Sequence, residues 1–183
     1  MNLRRKLSEI KTKQPKWKVD PSILLCRQVP KPLHGVAPRV VLGAKWWNAT
    51  RKEAYHSTLY HCLACGVSKH EAHYRQWLEA HEYYEVDYLL GRAEYIRTVP
   101  LCHLCHNYIH CGRLQGLLDR GIIPHGKYVA VLQHGNRILR QAKLVKSVYN
   151  GPFADWQDWR MVIYGKEYPP LCSTPEEWEK VYG

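Results

Sequence analysis

The sequence predicts an α+β fold: a small ββα core bracketed by two cysteine knuckles, a basic arm before it, and a helical, Trp-bearing extension after it. Three observations predict this. Two CxxC pairs, Cys62-Leu-Ala-Cys65 and Cys102-His-Leu-Cys105, flank a stretch that alternates like a β-hairpin. Charge is uneven: residues 1–61 hold 13 Lys/Arg against 3 Asp/Glu, whereas residues 62–120 hold 6 against 7. The aromatic content comes from 7 Trp and 13 Tyr but a single Phe, side chains whose polar tips suit a small, wet, grooved protein.

In chain order, residues 1–45 are rich in Lys, Arg and Pro, and Pro15, Pro21, Pro30, Pro32 and Pro38 interrupt any long element, so an extended basic arm is expected. Trp46 to Leu59 reads as a helix capped by Asn48 or Thr50 and leading into the first knuckle, where Gly66 lets the chain turn back. Lys69 to Trp77 has a helical pattern. LEAHEYYEVDYLL then alternates, giving a strand through His81, and AEYIRTVPL gives a second strand, with Gly91 and Arg92 in the turn. A helix begins inside the second knuckle and stops at Gly121. These elements make residues 46–120 the core. The extension, residues 121–183, has a helix after Gly126 with Gly135 as a possible break, a Trp-bearing strand or helix around DWQDWRMVIYGKEYPP, and a terminal helix capped at Thr174 and Pro175.

Two residues between the cysteines of each pair allow both sulfurs to reach one tetrahedral ion, and a metal would close the 36 residues between Cys65 and Cys102. Two such pairs around a hairpin predict a structural Zn²⁺ held by Cys62, Cys65, Cys102 and Cys105. Cys26, Cys111 and Cys172 are expected as free thiols. A redox protein is disfavoured, because neither CxxC opens a helix in a βαβ pattern.

A second group is His81 and Glu82 on the first strand with His106 and His110 on the following helix. Four residues apart, His106 and His110 share a helix face and can address one ion or phosphate. Cys105 fixes the residue beside it, so a metal at the knuckles would position His106 without doing chemistry itself.

The runs CLACG, LEAHEYY and VPLCHLCHNYIH resemble the HNH endonucleases, in the zinc-bearing branch whose two CxxC pairs flank a ββα-metal hairpin. The resemblance covers roughly residues 46–120, and TRKEAY and DWRMVIYGKEYPP are also similar to phage-encoded and bacterial members. It implies hydrolysis of DNA phosphodiesters with one divalent cation, Mg²⁺ or another such as Mn²⁺ or Ni²⁺. A strand His would activate water, while a neighbouring strand residue and helix His residues hold the cation.

On LEAHE two registers are open. One makes His81 a ligand and Glu82 the base. The other, preferred here, makes His81 the base and draws the strand carboxylate ligand from Glu79, Glu82 or Asp87, with Glu82 favoured. In both, His106 and His110 match the helix positions that face metal or phosphate. The family's Asn is missing from its slot near Arg97 and Thr98, while Asn107 lies on the helix as a substitute or as plain surface. A catalytically inactive HNH-fold zinc module that binds nucleic acid or a protein partner is therefore the alternative.

If DNA is the partner, Arg4, Arg5, Lys6, Lys11, Lys13, Lys16 and Lys18 are expected to hold its phosphates without reading sequence. Trp46, Trp47, Trp156 and Trp159 are expected to fill core in preference to stacking on bases. With no apolar run of signal-peptide or membrane-spanning length, a cytoplasmic protein is expected, in the host cytoplasm if phage-encoded.

Overall fold

A computed structural model describes residues 17–183. At its centre is the hairpin expected from the alternation: β1 (Glu79–Asp87) pairs antiparallel with β2 (Arg92–Leu101), and Gly91 in the turn has φ +65°. Tyr83 lies opposite Arg97 but Tyr84 lies opposite Tyr95, so Ile96 is an unopposed bulge residue. Side chains alternate between faces along a strand, and one extra residue switches the faces of everything beyond it. The bulge thus lets β2 serve two cores. Ala93 and Tyr95 join Tyr84 and Val86 in one cluster, whereas Val99 and Leu101 join the cysteine cluster on the other face.

On the cysteine side, α3 (His103–Ile109) begins at Cys102, its N-cap, and is followed by α4 (Cys111–Asp119) and α5 (His125–Gln141). The single helix expected to run to Gly121 is in fact two, broken at His110, whose backbone at φ −89°, ψ 37° leaves the helical region. Gly135 does not break α5. It is buried against the ring of Tyr108, where a Cβ would come within 2.1 Å of a ring carbon. The helix expected over Lys69 to Trp77 does not form; only turns and bends occupy it, and Ala72 is its one buried residue. A segment with so little apolar face gains too little packing to hold a short helix.

The described part of the arm is not extended. Pro21–Leu25 forms a 3-10 turn capped by Asp20, whose carboxylate accepts from the Ser22 N–H at 3.1 Å, and it buries Ile23 and Leu24 in the cysteine-side core. A second 3-10 turn, Lys31–Leu33, places Leu33 in the opposite core. α1 (Pro38–Val41) then leads into α2 (Gly43–Ser57), which begins a few residues before the expected helix.

In the C-terminal extension α5 and the last helix form as expected, and of the strand or helix expected between them the strand forms. There, β3 (Arg160–Ile163) and β4 (Lys166–Tyr168) extend the sheet to the order β1-β2-β3-β4, with β3 parallel to β2. Trp159, Met161 and Ile163 fill the second core. α6 (Pro175–Tyr182) starts at Thr174, whose hydroxyl accepts from the Glu177 N–H at 3.3 Å. No described helix is long and apolar enough to cross a membrane.

Candidate metal centres

Cys62, Cys65, Cys102 and Cys105 come together as expected, with their sulfurs all within 4.8 Å of one another. Cys65 Sγ and Cys102 Sγ are 3.8 Å apart, the edge length of a tetrahedron with ~2.3 Å metal–sulfur bonds. Three of the four are buried, and the cluster can hold a metal ion such as zinc. The sulfurs cannot all ionise unaided. Hydrogen bonds from Cys102, Cys105 and Cys65 push Cys62 well below the ordinary thiol range. Cys105 is pushed up by Cys102, Cys62 and Cys65 and by burial. Four thiolates in this space require a cation.

One further residue here leaves no local mark in the sequence. His134 on α5 places Nε2 3.3 Å from Cys105 Sγ, while Arg137 approaches its Nδ1 at 3.3 Å. A guanidinium donates only, so Nδ1 accepts and Nε2 carries the proton that points at the sulfur. His134 is 29 residues from Cys105, and only the packing of α5 brings it there.

The second cluster is made of His81, His106 and His110, with one ring nitrogen from each within 4.8 Å of the others. Strand alternation turns His81 toward α3, and the helical repeat stacks His106 and His110 on the side facing it. His81 Nδ1 lies 3.3 Å from His110 Nε2, and the ring centroids are 4.8 to 5.4 Å apart. That nitrogen spacing suits two ligands of one tetrahedral ion with ~2.0–2.1 Å bonds. The ring's other nitrogen, His81 Nε2, is buried and has no hydrogen-bond partner among the described residues.

Burial first, then the neighbouring His110, His106 and Arg39, push His81 down to about 2. Burial, His106, Arg113 and Arg39 push His110 down to about 4. Both rings are therefore neutral near pH 7, the form that ligates metal. Glu79, at the start of β1, sets the third ring: His106 Nδ1 donates to its Oε2 at 2.5 Å, which leaves Nε2 of His106 as the free lone pair. The other oxygen of Glu79 takes His103 Nδ1 at 2.7 Å. Against the burial that would raise it, these two bonds hold the Glu79 carboxyl far below the carboxylate range.

Glu82 does not join this group. Alternation sends it to the opposite face from His81, where Arg39 holds it: the Arg39 backbone N–H donates to Oε1 at 3.0 Å and its guanidinium lies 3.1 Å from Oε2. The preferred register is corrected on this point, since the strand supplies His81 and not Glu82 to the cluster. β1 is nonetheless an edge strand, and a cavity of about 520 Å³ wraps it, lined by His81, Glu82, His106 and His110 together with Arg27, Arg39 and Arg113. None of the three arginines was anticipated as part of a site.

Asn107 is neither surface nor part of the cluster. It is buried and donates to the His103 carbonyl at 2.8 Å. Lys18 is exposed, while Arg4, Arg5, Lys6, Lys11, Lys13 and Lys16 lie outside the described residues. Trp159 is core and Trp46 packs against it, as expected; Trp156 donates to the Cys172 carbonyl at 2.7 Å. Cys26, Cys111 and Cys172 are free thiols. No family model, curated protein or solved structure matches this chain.

Proposed function

We propose that the protein is a metal-dependent endonuclease of the HNH type, hydrolysing DNA phosphodiester bonds beside a structural zinc at the four cysteines. The carrying observation is the convergence of His81, His106 and His110, one from a hairpin strand and two from the helix that a cysteine knuckle anchors. Three ring nitrogens facing one another suit a divalent cation, and an all-imidazole set favours Ni²⁺, Zn²⁺ or another transition metal over Mg²⁺. Such an ion supplies a Lewis acid at a phosphoryl oxygen.

This chain's residues account for the remainder. Arg27, Arg39 and Arg113 give the cavity the charge to hold a phosphate. Glu79 fixes the tautomer of His106. In this reading Glu82, the one carboxylate lining the cavity among the described residues, takes a proton from attacking water. A carboxylate is a weaker base than imidazole, and its bonds to Arg39 also support the second reading, an inactive module that binds nucleic acid.

Nicking of supercoiled plasmid with Mg²⁺, Mn²⁺ or Ni²⁺ separates the two. Wild type is expected to nick, His106→Ala to be inactive, and Glu82→Gln to be slower by ~10²–10⁴, a general base's usual share, all at unchanged zinc content. Equal nicking by the three proteins, or none by wild type, rejects the nuclease.

A further inference from the structure

A second groove lies across α3 from the histidines. It has a volume of about 710 Å³ and is lined by residues from α3, α5 and the turns before β1, including Tyr74, Leu104, Gln133, Asn136, Arg137 and Arg140. None of its lining residues is acidic. The surrounding sequence shares this bias: from Arg120 to Ala154 the cations are Arg120, Lys127, Arg137, Arg140, Lys143 and Lys146, and there is no Asp or Glu. Among the described residues, Lys127, Arg137 and Arg140 make no ion pair with a carboxylate.

The groove is built by helix geometry. Gln133, Asn136, Arg137 and Arg140 recur at three- and four-residue steps and are all exposed, so they form one stripe along α5. The opposite side of the helix holds Val131, Gly135, Ile138 and Leu139 in or against the core. Tyr108 Oη donates to Asn136 Oδ1 at 2.7 Å, and Arg137 is braced on His134, so the stripe is held rigidly to the knuckle. Across the groove, Tyr74 is 56% exposed with Lys127 Nζ 5.5 Å from its ring centre.

Guanidinium groups in a row with no carboxylate partner among the described residues, amide side chains between them and an exposed aromatic ring beside them match a nucleic-acid strand: charge for phosphates, hydrogen bonds for sugar and phosphate oxygens, a flat face for a base. The separation fits too. α3 supplies Leu104 to this groove and His106, two positions on and so on the opposite side, to the histidine cavity, with His110 just past its end; the two sites are thus separated by about one helix diameter, ~10–12 Å. That is comparable to the ~12 Å width of a DNA major groove, the gap between its two flanking backbones.

We infer that the Arg137/Arg140 groove on α5 is a second DNA-backbone site, holding phosphates of the strand opposite the one engaged at the histidine cluster. It rests on the nuclease reading for its geometry, but binding and cleavage can be measured separately. In fluorescence anisotropy with a labelled 20-base-pair duplex and no added divalent cation, Arg137→Ala/Arg140→Ala is expected to bind at least ~10-fold more weakly than wild type near 0.1 M salt. The slope of log affinity against log salt should fall by about 1.8, at roughly 0.9 per lost phosphate contact. Arg137→Lys/Arg140→Lys should keep most of that slope, because phosphate is held as a charge. His106→Ala should fail to nick, yet adding Arg137→Ala/Arg140→Ala to it should still lower the slope by about 1.8, so an inactive site and an unused groove give different results. Both exposed positions tolerate substitution, and circular dichroism and zinc content verify the fold. Unchanged affinity and slope in the double Ala variant would overturn the assignment.

Discussion

Glu79 shows how one side chain can order a site without entering it. It bonds His103 and His106 with separate oxygens, and so fixes which nitrogen His106 offers to the cluster. Glu79→Gln, which loses the charge but keeps the shape, is expected to weaken Ni²⁺ binding at the histidines by ~10–100-fold in titration calorimetry, with metal binding at the four cysteines unchanged. The histidines also set an acid limit. His81 and His110 fold in the neutral form, with values pushed to about 2 and about 4, whereas the unfolded chain protonates each near the ordinary 6.5. Their contribution to stability is therefore complete above pH 6.5 and is lost as pH falls, by up to ~1.4 kcal/mol per unit per residue until the folded value is reached. Glu79 adds a later loss, below its ordinary 4.5. Urea midpoints measured from pH 7.5 to 4.5 without added divalent metal should decline from about pH 6.5; a flat profile would contradict neutral burial of the rings.

At the scale of elements, α5 is the strut behind both centres, and its fit to α3 depends on Gly135 meeting Tyr108. Alanine is the better helix former by ~1 kcal/mol, yet Gly135→Ala is expected to destabilise by ~1–3 kcal/mol in thermal melts, because the added methyl enters a filled space. This marks what was legible in the sequence. The CxxC pairs, the β1-β2 hairpin and the His106/His110 face could be read because spacing within a few residues encodes them. Gly135 read as a possible helix break because a glycine's packing partner, here 27 positions away, leaves no local mark. Arg39, His134 and the Ile23–Leu24 anchor escaped for the same reason: each acts through a contact made by the folded chain. The bulge at Ile96 was equally silent, although it lets Val99 and Leu101 reach the cysteine side.

For the whole molecule, the cysteine cluster lies in the larger core, where Ile23 and Leu24 from the N-terminal side and Val131 and Leu139 from α5 pack around it. Structural zinc sites contribute ~10–16 kcal/mol of apparent binding free energy in small domains, comparable to a domain's entire stability. Stripping the metal with a strong chelator is expected to abolish the cooperative thermal transition, and Cys62→Ser or Cys105→Ser should do likewise. Retention of a sharp transition in metal-free protein would show that apolar packing alone suffices.

The parallel step of the sheet has a bearing on how the chain assembles over time. Hairpin, knuckles and α3 are near neighbours in sequence, whereas β3 reaches β2 only when Arg160 comes beside Arg92. Contacts at such separation close late, after local structure has formed. On the ribosome, the histidines would thus be in place while Tyr84, Val86, Ala93 and Tyr95 still await Trp159 and Met161. A nascent chain cut short before β3 would leave Tyr84, Val86, Ala93 and Tyr95 without Trp159 and Met161, and β2 with an unpaired edge open to its neighbours.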